Sequence, residues 1–137
     1  MRIEHPREGW VDIPDDWMSG VDVESIRLRD HYLPLGSTPM LIALADIAPI
    51  DLSGRASLAP IGLDRDRFVS VLRAFSQGVP LPPLPVARDP HGDFRYQLRD
   101  GAHRFYASLA VGFAKAPAIE AWQHESDPLH PDNVRKE

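Results

Sequence analysis

Asp100-Gly101-Ala102-His103-Arg104 is the stretch of this 137-residue chain whose residue types and spacing could do chemistry. If it joins a strand to a helix, it makes an anion site. The first amide hydrogens of a helix have no internal partner, and the helix dipole adds partial positive charge. Gly101 would let a bulky anion approach the backbone. His103 and Arg104 fall in the first turn, where their donors can reach the same anion, Arg104 through two parallel hydrogen bonds. A carboxylate at Asp100 would repel a phosphate unless it holds a metal ion, accepts a proton or caps the helix. The bland alternative stays open: Asp100 caps the helix, and His103 and Arg104 are merely solvated.

The elements around this turn follow from periodicity and punctuation. Phe94-Arg95-Tyr96-Gln97-Leu98 alternates apolar and polar residues, as a half-buried strand does. Leu84 to Ala87 reads as its hairpin partner, with Pro85 marking an edge or a strand start and residues 90–93 the turn. Asp100 is expected to end the second strand, with Gly101 at the bend. Ala102 to Val111 reads as a helix, with Phe105 and Leu109 on one face and Gly112 as its stop. Upstream, Asp64 can cap a helix whose Phe68, Val71, Leu72 and Phe75 share a face, ended by Gly78. Met40 to Ile47 reads as one buried strand that Pro49 stops, residues 49–62 as a loop, and Pro117 to Trp122 as a closing strand. Phe68, Leu72, Phe75, Phe105, Leu109 and Ile119 are the expected core.

Composition narrows the class. The length favours one domain, and 43% hydrophobic with 26% charged residues is a globular balance. A formal net charge of -5 disfavours direct DNA binding, because an acidic surface repels a duplex backbone. The absence of cysteine excludes disulfides, thiolate metal sites and cysteine nucleophiles. Fourteen prolines predict short elements and extended connections. The N-terminus lacks the apolar core of a signal peptide, and no run reaches membrane-span length, so a soluble cytoplasmic protein is expected. His124 and His130 stand in a polar tail without further ligands, so no metal site is expected there. No acyl-transfer triad or Walker-type loop is present. The chain divides into an N-terminal extension (1–38) that wraps the domain with Trp10 and Trp17, the domain itself (39–123), and a polar tail (124–137).

Asp100-Gly101-Ala102-His103-Arg104, followed by Ala107, Gly112 and Pro117-Ala118-Ile119, resembles the core motif of the ParB/sulfiredoxin-like superfamily. The upstream order is similar: a strand ending at Ile47-Ala48-Pro49, a helix ending at Gly78, then Pro83-Leu84-Pro85-Val86 leading into a strand. The resemblance covers about residues 40–122. It implies an α+β fold, a small mixed sheet with packed helices, whose turn binds nucleotide phosphates. Sulfiredoxins carry a cysteine before the His-Arg pair; Ala102 stands there, which excludes that activity. Chromosome-partitioning members use a glutamate-arginine-arginine turn and a following helix-turn-helix domain, so a complete partition protein is not expected.

The free-serine kinases of the superfamily have the form most similar to this one, Asp-Gly-x-His-Arg, and a glutamate after the first strand beside the acceptor hydroxyl. Asp51 is the best positional match and is one methylene shorter, so a base role needs a shifted backbone or a bridging water. Arg55 is a second cation candidate, although a solvated loop arginine is the favoured reading of it. Two functions follow as expectations. One is an ATP- or ADP-dependent phosphotransferase acting on a small hydroxyl acceptor. In it Gly101, Ala102, His103, Arg104 and Arg55 would hold the nucleotide, Asp100 would help bind Mg²⁺ or orient the acceptor, and Asp51 would be the base. The other is a non-catalytic nucleotide-binding or regulatory module with a protein partner or a second copy of itself, docking through Trp10, Trp17 or Pro80 to Pro85. A nuclease is disfavoured by the acidic balance and the lack of a carboxylate cluster.

Overall fold

The computed structural model describes residues 1–7, 9–36, 39–49, 63–89 and 93–120. The chain opens with β1 (Arg2–Glu4) and β2 (Trp10–Asp12), a two-stranded antiparallel ladder with Ile3 opposite Val11. Those two side chains are buried and their flanking neighbours are not, as the period of two requires. A 3₁₀ turn over Asp15–Met18 brings Trp17 onto Phe68, with ring centroids 5.5 Å apart. Trp10 stays half-buried, with the Arg2 guanidinium 4.0 Å from its ring centroid. α1 (Val23–Ile26) is a single turn, capped by the Asp22 carboxylate, which accepts the Ser25 amide at 3.2 Å.

Five further strands make one mixed sheet: β3 (Met40–Ala43), β4 (Ile47–Ala48), β5 (Leu84–Arg88), β6 (Tyr96–Leu98) and β7 (Lys115–Glu120), in the order β3-β7-β5-β6-β4. β5 and β6 form the expected antiparallel hairpin, β7 lies parallel to β5, β3 pairs antiparallel with β7, and β4 pairs parallel with β6. The sheet curls strongly. The Tyr96 hydroxyl lies 3.9 Å from the Met40 sulfur, although three strand spacings, about 14 Å, would separate their strands in a flat sheet.

Two longer helices cover the sheet. α2 (Arg65–Gln77) starts where Asp64 accepts the Arg67 amide at 3.0 Å and ends at Gly78, which is left-handed at φ 67°. α3 (Ala102–Val111) runs between Gly101 and Gly112, at φ 85° and 87°. Phe68, Leu72 and Phe75 of α2 and Phe105, Ala107 and Val111 of α3 are buried in one core with Leu84, Val86, Ala116 and Ala118 of the sheet. Ile3, Val11, Ile13, Trp17 and Ile26 belong to that same core. The molecule is therefore an α+β fold with a mixed sheet and packed helices. Among the described residues no helix is long and apolar enough to cross a membrane.

Several expectations are corrected. Met40 to Ile47 is not one strand. A 3₁₀ turn at Leu44–Asp46 splits it into β3 and β4, which occupy opposite edges of the sheet. Curling brings those edges close enough for three residues to cross between them. Of the two readings of Pro85, the strand start holds and the edge does not: Pro85 is the second residue of β5, the middle strand. The Arg99 amide donates to the Pro85 carbonyl at 2.9 Å on the last rung of the β5–β6 ladder, where the missing proline N–H breaks nothing further along. β6 spans three residues and ends at Leu98, so Asp100 follows the strand by two positions rather than ending it. β7 begins at Lys115, not at Pro117, and Trp122 lies outside the described residues. Ala116 and Ala118 point inward, which turns Ile119 outward at 41% exposed, and Leu109 is only partly buried.

Candidate functional site

Gly101 is the hinge of the candidate site. Its left-handed φ turns the chain from the sheet into α3, and no side chain caps the helix. A Cβ added at Gly101 would stand 2.7 Å from Nη2 of Arg104 and 3.2 Å from Cδ2 of Leu84. The left-handed backbone angle demands glycine here, and a Cβ would also require the Arg104 guanidinium to shift. Asp100 does not cap the helix: its Oδ1 accepts the adjoining Gly101 amide at 2.8 Å. The amides of Ala102, His103 and Arg104 find no acceptor among the described residues. They form a row of orphan donors at the positive end of a ten-residue helix.

His103 joins this turn to a second helix start. Its Nε2 accepts the Asp64 amide at 2.7 Å, so that nitrogen carries no proton and the ring is neutral with hydrogen on Nδ1. Burial lowers the His103 pKa, with the Arg67 charge adding to it, while Asp64 and Asp100 oppose it. The N-termini of α2 and α3 thus lie side by side, and their dipoles reinforce each other there.

Arg104 is placed differently from expectation. Its Nη1 donates to the Pro82 and Pro83 carbonyls, the latter at 3.0 Å. The Tyr32 hydroxyl donates to the same Pro82 carbonyl at 2.6 Å. Burial pushes the Tyr32 pKa up to about 12, which keeps that donor protonated. Arg104 therefore fastens the proline segment ahead of β5 to α3. The cation that sequence reasoning missed is Arg67, in the first turn of α2. It acts on His103 electrostatically and forms no side-chain hydrogen bond or ion pair among the described residues. Its spacing from Asp64 was legible. That α2 and α3 start together was not.

Asp51 and Arg55 lie outside the described residues; Pro49 and Asp64, described positions on either side of them, are hydrogen-bonded to the site. Nε2 of Gln97 donates to the Pro49 carbonyl at 2.7 Å, and His103 holds the Asp64 amide. Gln97 and His103 flank Asp100-Gly101 in the chain, so Pro49 and Asp64 are both held beside the turn. Among the described residues no group of three His, Asp or Glu could hold a metal ion. Among the described residues Asp100 Oδ2 has no hydrogen-bond partner. One such carboxylate suits a Mg²⁺ that arrives on nucleotide phosphates and keeps its waters, rather than a caged ion. No protein-family model matches the chain, and no curated protein matches it.

Proposed function

We propose that the protein is a ParB/sulfiredoxin-like nucleotide-binding domain of the cytoplasm that seats phosphate at the start of α3. The observation that carries this is the uncapped row of amides from Ala102 to Arg104 behind a left-handed Gly101. The adjoining start of α2 and Arg67, which has no side-chain partner among the described residues, supply further positive potential. The contacts fall mainly to the backbone and Arg67. His103 orders the two helix starts, and Arg104 holds the proline segment. Asp100 is the carboxylate available to a phosphate-borne Mg²⁺, which would neutralise developing charge. Asp51 is the base if a hydroxyl acceptor is phosphorylated, with Arg55 as a second cation.

The second reading, a regulatory module that binds nucleotide without turnover, is favoured by one specific observation. Arg104 is committed to the Pro82 and Pro83 carbonyls rather than to the open turn. Thermal unfolding with ATP, ADP, CTP and GTP, with and without Mg²⁺, tests both. A ligand at about one hundred times its Kd stabilises the native state by about 2.7 kcal/mol. Stabilisation by one nucleotide with ADP release that needs Asp51 and an acceptor supports the kinase. Stabilisation without turnover supports the module. No calorimetric heat at millimolar nucleotide rejects the phosphate site altogether.

A further inference from the structure

A separate groove lies at the far end of α2, about 20 Å from Asp64 at 1.5 Å per residue. It opens between residues 25–33 and the C-terminal turn of α2, with Phe113 beneath, and has a volume of about 320 Å³. Its floor is aromatic: Phe75 stacks on Tyr32 at 5.5 Å and meets Phe113 in a tilted contact at 5.3 Å. Its lip is apolar and open to solvent, with Leu28 87% and Val79 46% exposed. Leu35 extends this apolar surface beyond the cavity. It is 55% exposed and hydrogen-bonds to Leu81, two residues past Val79.

The charged side chain of the groove is a cation, Arg29. Arg29 and His31 are the basic side chains lining it, beside the Tyr32 phenol, and among the described residues no carboxylate does. The Arg29 guanidinium leans over the end of α2, with Nη1 3.8 Å from where a Gly78 Cβ would stand. It forms no side-chain hydrogen bond or ion pair among the described residues. His31 donates from Nδ1 to the Tyr32 carbonyl at 2.7 Å, leaving Nε2 uncommitted. The Gly78 and Val79 amides turn back to Phe75 and Ala74, so the Ser76 and Gln77 carbonyls remain as acceptors at the rim. A cationic groove on a chain of net charge -5 selects an acidic occupant.

We infer that this groove docks an acidic, amphipathic peptide segment of a partner protein. One apolar side chain enters over Phe75 and Phe113, a carboxylate meets Arg29, and backbone amides meet the free α2 carbonyls. A small carboxylic acid would fill the cavity but leave Leu28 and Leu35 bare. A peptide covers them, which is why a macromolecular occupant fits better.

The test is a random-peptide library displayed on phage and selected on the full chain, followed by binding of the synthesised enriched peptide to isotope-labelled protein. The expected result is a consensus pairing an aliphatic or aromatic residue with Asp or Glu, shifting the amides of Leu28, Arg29, Gly78 and Val79. Leu28→Asp, at an exposed position that does not threaten folding, weakens the peptide by about tenfold or more, as loss of one anchoring contact does. Arg29→Glu does the same and shifts selection towards basic peptides. No consensus, a consensus without acidic residues, or shifts mapping elsewhere overturns the inference. So does octanoate shifting these amides when no peptide does, which would make the groove a small-molecule site.

Discussion

Arg104 and Arg67 show how far residue type alone can mislead. Both are arginines in a first helical turn, yet one is tied to the Pro82 and Pro83 carbonyls and the other has no side-chain partner among the described residues. Arg104→Ala strands the Pro83 carbonyl, leaves the Pro82 carbonyl to Tyr32 alone, and should lower stability by about 1–3 kcal/mol in urea unfolding. Arg67→Ala should leave stability within about 0.5 kcal/mol and weaken nucleotide binding by about tenfold in calorimetry. The reverse pattern would return Arg104 to the phosphate site. His103 gives a pH test. Its folded pKa lies below the ordinary 6.5 because of burial and Arg67. The unfolded chain therefore takes up the proton first on acidification, and the folded state loses stability as pH falls below that ordinary value. From roughly pH 7 to pH 5, the wild type should lose more stability than His103→Gln, which keeps an acceptor without a charge change. Equal slopes for the two proteins would mean that protonation of His103 does not strain the Asp64 contact.

At the scale of elements, α2 and α3 were legible because their signals are local. Asp64, Gly78, Gly101 and Gly112 punctuate them, and Phe68, Leu72 and Phe75 repeat at helical spacing. Leu72→Ala should therefore cost about 2–5 kcal/mol, whereas Ile119→Ser should cost less than about 0.5 kcal/mol, since that side chain faces out. A large loss at Ile119 would mean that its face of β7 is covered. The strands were less legible, because their fate depends on distant partners. Nothing within Met40 to Ile47 says that the run feeds both edges of a curled sheet. Pro85 reads as an edge signal until its carbonyl is seen on the last rung with Arg99. Likewise, the Asp-Gly-Ala-His-Arg turn was legible as a strand-to-helix bend. The pairing of two helix starts through His103 and Asp64 is a contact between residues 39 positions apart, and no local spacing encodes it.

At the scale of the molecule, the question is whether residues 1–38 ornament the domain or complete it. Trp17 rests on Phe68, and Ile3, Val11, Ile13 and Ile26 join the buried set of α2, α3 and the sheet. Buried His5 stacks on Phe105 at 5.9 Å, and its Nε2 donates to the Ile47 carbonyl at 2.8 Å while Nδ1 accepts the Arg7 amide at 3.1 Å. That carbonyl belongs to β4, two residues before Pro49, where the segment carrying Asp51 begins. Removing the extension would uncover Phe68 and Phe105, both fully buried, and leave the Ile47 carbonyl without its donor. One aromatic truncation in a core costs about 3–5 kcal/mol, a large share of the 5–15 kcal/mol that holds a typical domain. The fragment 39–123 should therefore show no cooperative thermal transition, and Trp17→Ala in the full chain should unfold at markedly lower urea. A fragment that melts cooperatively at the temperature of the full chain would instead make the extension separable from the fold, and its contacts with Phe68 and Ile47 incidental.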